Sequence, residues 1–259
     1  MDISERQQIE QERARSSERE HRIAEQLQEA LQPAVPRQVP GLALADYYQP
    51  ALEEAGVGGD FADVFAADKG VTFLVVGDLS GKGLAAASQV AVVRNMLRFA
   101  LYNGRTLAGP ITTLSQTLVD NDLLTGFATL FVGRYEASSR LLSYVNCGQD
   151  AAQIRRAATG QVEDLAPTGA ILGGFSGADF TEATAQLEPD DILAIFTDGL
   201  TESGPDRASR LTADGVAAIL RDAPAESAEA IVSHLIQEVE RYAQNGIRDD
   251  QCLLVGIAS

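Results

Sequence analysis

Four acidic positions in this chain each meet a tight turn at the end of an apolar run. Asp60 stands in Gly58-Gly59-Asp60-Phe61, and Asp78 in Gly77-Asp78-Leu79-Ser80-Gly81-Lys82-Gly83. Asp198 closes the run Ile192–Phe196 and precedes Gly199, and Asp249-Asp250 opens Gln251–Ile257. Val71–Val76, between the first two, reads as a buried strand, so a hairpin can bring Asp60 and Asp78 together at one sheet end. Carboxylates gathered at the ends of buried strands repel one another and resist desolvation unless a cation neutralises them. Carboxylate, carbonyl and water oxygens suit Mg or Mn rather than Zn. The residues therefore point to a hydrolytic site with two divalent cations.

Each aspartate has a plainer use. Asp78 can cap a helix starting near Leu84, and Asp198-Gly199 is a common turn pair. One of Asp249 and Asp250 can simply start a strand. Lys82 can meet a substrate phosphate as a point charge or stand as an exposed turn lysine. The segment Gly77–Gly83 is not a P-loop, because it lacks the four-residue spacer and the Ser or Thr after Lys. His21 and His234 fall on helical stretches, and no Ser-His-Asp or Cys-His arrangement is evident.

Taken together, GGDF, VGDLSGKG, FATLFVG, LSYVNCG, FTDGLTES and RDDQCLLVG resemble the SpoIIE-type branch of the PPM metal-dependent serine/threonine phosphatases. The likeness runs in the family's order from about Leu31 to Ser259. It implies that Asp78 bridges both metals, with the Leu79 carbonyl and Asp60 on the second, Asp198 on the first, and Asp249 rather than Asp250 as the remaining ligand. It implies hydrolysis of phosphoserine or phosphothreonine on a protein by a metal-activated water, with no catalytic side chain attacking directly. The substrate it implies is a STAS-type anti-sigma-factor antagonist in bacterial sigma-factor signalling; the alternative is a non-catalytic docking module of the same fold. The chain departs from the family where Gln149-Asp150 replaces histidine-proline and Ala62 replaces an aromatic.

Strand patterns recur over Leu42–Tyr48, Phe127–Tyr135, Leu141–Cys147, Ala151–Arg156, Phe180–Leu187, Asp191–Thr197 and Gln251–Ala258. Helical patterns cover Leu84–Phe99, Ile111–Leu124, Thr212–Asp222 and Ala225–Gln244. Mostly hairpin connections predict an α+β fold of stacked antiparallel sheets under helices. The resemblance implies the same: a PPM-like β-sandwich with the metal site in a cleft at one edge.

Residues 4–31 are charge-dense, free of Pro and Gly, and read as a helix. Their apolar stripe (Ile23, Ala24, Leu27, Ala30, Leu31) serves a linker, a homodimer contact or a solvated terminal helix. Pro33, Pro36 and Pro40 end it. The expected division is residues 1–40 as a helical linker or dimerisation segment and 41–259 as the phosphatase-like domain.

A net charge of −17, from 37 acidic and 20 basic residues, excludes a nucleic-acid partner. No apolar run reaches the length of a membrane span. The opening residues lack a secretory pattern and the two cysteines lie in apolar runs, which predicts a cytoplasmic protein with reduced thiols.

Overall fold

The computed structural model describes residues 34–50, 58–68, 70–81, 84–102, 106–206, 208–244 and 249–259. The helix expected over 4–31, and Lys82, lie outside them. Two antiparallel sheets form the centre. One runs β1 (Gln38–Val39), β2 (Leu42–Gln49), β11 (Gln251–Ala258), β10 (Ile192–Phe196), β7 (Ala152–Arg155) and β8 (Val162–Leu165). The other runs β3 (Asp60–Asp68), β4 (Val71–Leu79), β5 (Ala128–Glu136), β6 (Leu141–Cys147) and β9 (Ala183–Gln186). The fold is the α+β sandwich expected from the hairpin-spaced strands.

Alternation along the strands assigns the faces. Ala62, Val64, Leu74, Val76, Phe131 and Tyr144 meet Leu44, Ile154, Leu193, Ile195, Cys252 and Leu254 between the sheets. Phe61, Phe73, Val75, Leu130 and Val132 point the other way, toward α1 (Leu84–Tyr102) and α2 (Ala108–Asp120). Val90, Val93, Leu97 and Leu101 of α1 recur at helical spacing and bury that stripe, at about 1.5–3 kcal/mol per large side chain. One polar clamp adds orientation: Arg98 grips the buried Asp63 of β3 with two hydrogen bonds of 2.6 and 2.5 Å, its guanidinium 4.9 Å above the Phe65 ring.

The outer face of the β2–β11–β10 sheet is covered by α4 (Thr212–Asp222) and α5 (Ala228–Ala243). Ile231, Leu235 and Val239 supply the buried stripe of α5. Ser227 caps that helix, its hydroxyl accepting from the Ala230 N–H at 3.1 Å.

Most strands fall within a residue or two of their expected limits. The segment around Phe180 is the exception: Phe180 makes only a single bridge to Gly169, and the strand proper is Ala183–Gln186 beside β6. The stretch read as a proline-rich linker is partly drawn into the domain: Val35 is buried between the sheets and Gln38–Val39 pair with β2. β8 pairs with β7 across a turn and has no strong pattern of its own.

Candidate metal centre

The β3–β4 hairpin register sets Asp60 directly opposite Asp78, as the strand reading anticipates. The next strand places Thr129 opposite Asp78 and Ala128 opposite Leu79. In the facing sheet, β10 ends at Phe196, Thr197 leads into the short helix α3 (Asp198–Thr201), and β11 starts just after Asp250. Asp198 thus begins a helical turn rather than a plain strand end.

Asp60 lies only 3% exposed at this rim. The Thr197 hydroxyl donates to its Oδ2 at 2.6 Å, tying one sheet to the other. Burial pushes the Asp60 carboxyl well above the usual carboxylate range, the Asp78 charge adds to that, and the Thr197 hydrogen bond offsets part of it. Asp198 is pushed up to about 7, first by burial and then by Asp78, Asp249, Glu202 and Asp150. Asp78 bears on both of the others, so it sits electrostatically between them.

The adjacent pair Asp249-Asp250 divides. Asp250 is buried, and its Oδ2 accepts the Gly59 N–H at 2.9 Å while its charge acts on Asp60. Asp249 is half-buried and bears on Asp198 instead.

Glycines permit the close approach. A Cβ on Gly59 would strike the Leu79 carbonyl oxygen and crowd Asp78 Oδ1, which lies 3.1 Å from that position. A Cβ on Gly58 would strike the Asp250 carboxylate, and one on Gly199 the Asp250 carbonyl. The Gly58 N–H also donates to the Tyr48 hydroxyl at 3.0 Å.

These are hard oxygen donors, and the fold opposes the ordinary ionisation of two of the carboxylates, Asp60 and Asp198. Bound cations would relieve that opposition. Among the described residues, no three Asp, Glu, His or Cys side chains close round a point by themselves. Mg or Mn fits such hard oxygen donors, with waters completing the coordination shell. Asp60, Asp78, Asp198, Asp249 and the Leu79 carbonyl could hold such ions.

Two residues that the strand and turn patterns did not single out as chemistry stand at the same rim. The buried Gln149 donates from Nε2 to the Phe196 carbonyl at 2.8 Å, and Asp150 accepts from the Thr201 hydroxyl. Their place after the Asn146-Cys147-Gly148 turn was the available signal. Cys147 and Cys252 are buried free thiols pushed up by burial, so neither supplies a thiolate.

The family model "Stage II sporulation protein E (SpoIIE)" matches residues 68–256, a span holding Asp78, Leu79, Asp198 and Asp249, with Asp60 just ahead of it. Phosphoserine phosphatase RsbU of Bacillus subtilis is 22% identical over 191 residues, covering 74% of this chain and 57% of the relative. The solved RsbU and RsbW domains of Rv1364c from Mycobacterium tuberculosis superpose with a TM-score of 0.72 at 27% identity, covering 85% of this chain and 60% of that one. RsbX, solved in complex with magnesium, gives a TM-score of 0.65 at 19% identity, covering 86% and 98%. The chain spans 57% and 27% of the length of the two curated relatives it matches first. Among the described residues no helix is long and apolar enough to cross a membrane.

Proposed function

The chain belongs to the SpoIIE family, and from that premise we propose that it is a metal-dependent phosphatase acting on phosphoserine or phosphothreonine in a protein. The observation that carries this reading is the gathering of Asp60, Asp78, Asp198 and Asp249 at one rim of the sandwich, where their charges oppose one another. Asp78, with Asp60 and the Leu79 carbonyl on one side and Asp198 and Asp249 on the other, would hold two divalent cations, Mg or Mn. Bound there, the cations would offset the four carboxylates and supply an acidified water for attack on phosphorus.

The protein's own part is placement. Thr197 and the strand register hold Asp60, the Gly58-Gly59 turn lets the Leu79 carbonyl approach, and Asp250 anchors that turn from the opposite sheet. Buried, protonated cysteines leave the covalent thiol route without a nucleophile, and His234 sits on α5 over the outer sheet face. Lys82 is retained as the candidate contact to the substrate's phosphate.

A STAS-type phosphoprotein in a partner-switching pathway is the substrate class this reading favours, supported by relatives that include RsbU and a chain carrying RsbU and RsbW domains. Pairing of two copies through the helix expected over residues 4–31 belongs to the same reading. The test compares turnover on a phosphorylated STAS protein, a phosphopeptide and an aryl phosphate. Preference for the first, loss with a chelator and return with Mn or Mg are expected. A phosphorylated enzyme trapped by acid quench would overturn direct attack by water, and no turnover on any of the three would favour a docking module.

A further inference from the structure

The two flanks of the rim are tied across the sandwich in different ways. On the β3 flank, Thr197, Asp250 and Tyr48 reach from one sheet to Asp60, Gly59 and Gly58 of the other. On the opposite flank the tie is Gln149. It follows β6 and is 3% exposed. Its Nε2 donates to the Phe196 carbonyl at 2.8 Å, and its Oε1 accepts from the Thr129 hydroxyl at 3.2 Å. Thr129 is the register partner of Asp78, and Phe196 ends the strand that delivers Asp198.

An amide suits this place. It donates at one end and accepts at the other, and it adds no charge to a crowded acidic rim. A carboxylate there could not donate to the Phe196 carbonyl. The Gln149 backbone is itself held, since its N–H donates to Asn146 Oδ1 at 2.9 Å and the Asn146 amide in turn donates to the carbonyls of Asp150 and Leu165. The turn cannot drift to follow a lost side-chain bond.

We infer that Gln149 is a positioning residue that sets the separation of Asp78 and Asp198, and through it the affinity for the cation assigned to both. The inference rests on the metal assignment proposed above. Gln149→Met keeps length and packing and removes both hydrogen bonds. Titration calorimetry of the full chain with manganese chloride should show about a tenfold loss of affinity, the size usual for an outer partner of a metal ligand. The loss should disappear in an Asp198→Asn background, and Gln149→His, which can still donate to Phe196, should recover part of it. If Gln149→Met does not fold, Thr129→Val carries the same test from the other end of the tie.

Metal-free melting temperatures run beside the titrations. A lower melting temperature with an unchanged manganese isotherm would make Gln149 merely structural and overturn the inference. So would an equal loss in the Asp198→Asn background. If Asp198→Asn itself leaves manganese binding unchanged, the metal assignment falls, and the inference with it. If Asp198→Asn weakens binding and Gln149→Met does not, only the inference falls.

Discussion

Asp60 and Asp198 carry the same carboxyl group at one rim, yet their surroundings differ. Asp60 sits on a regular strand, in register with Asp78, sealed from water and hydrogen-bonded by Thr197. Asp198 begins a four-residue helical turn, is partly open, and faces Asp78, Asp249, Glu202 and Asp150. The first position is defined by a backbone ladder and a neutral donor. The second is defined by side chains reaching across from loops, in a field of like charge. Burial and the Asp78 charge raise both carboxyls, but only Asp60 has a hydroxyl donor and a strand ladder to hold it against that opposition.

Removing the group common to both halves should have the largest effect. Asp78→Asn is expected to lower manganese-dependent turnover by more than about a hundredfold, beyond the range of an outer partner. It should also bring Asp198 down from about 7, because Asp78 is one of the charges raising it. Carboxyl NMR of the metal-free protein reads that shift, and an unmoved Asp198 would break the link between the halves.

The adjacent aspartates sharpen the comparison next. Asp249→Asn should weaken manganese binding with little change in metal-free stability. Asp250→Asn should do the reverse, since it weakens a charge-assisted bond to the Gly59 N–H, with a cost of up to about 1.5–3 kcal/mol in urea unfolding. The opposite pattern would exchange their roles.

The pH response follows from the raised carboxyls. An unfolded Asp ionises near its model value of 3.8, whereas folded Asp198 does so near 7, so the native state holds the extra proton between these values. Metal-free stability from this group should therefore be greatest at low pH and decline as pH rises through that window to about 7. Manganese competes with the proton, so its affinity should fall as pH drops from 8 to 6. Calorimetry at several pH values tests the sign, and a flat affinity would show that Asp198 does not take part.

The smallest effect belongs to Thr197→Val. Loss of the hydroxyl should cost about 1–3 kcal/mol by leaving Asp60 and the Cys252 N–H without that partner. It should raise Asp60 further while leaving Asp198 unchanged. Equal shifts at both would show that the halves are less separate than the hydrogen bonds indicate.

Much of this architecture was legible along the chain. Apolar runs punctuated by glycine and acidic turns marked β4, β6, β10 and β11, because strand burial and turn strain act over neighbouring residues. The Asp60–Asp78 pair could be read for the same reason: two strands joined by a short turn have few registers open to them. The short β1 and β8 carried too little pattern of their own, and their place depends on the strands beside them.

Contacts between distant segments were decided only by the tertiary structure. No local pattern says that Gln149 meets Phe196, that Thr197 bonds Asp60, or that Asp250 holds Gly59 while Asp249 faces Asp198. Residue type supplied the donors and the carboxylates; the stacking of one sheet on the other selected their partners and the charges each must withstand. Sequence determines a strand's period and ends through local sterics and burial, whereas the meeting of two strand ends depends on long-range packing across the whole sandwich.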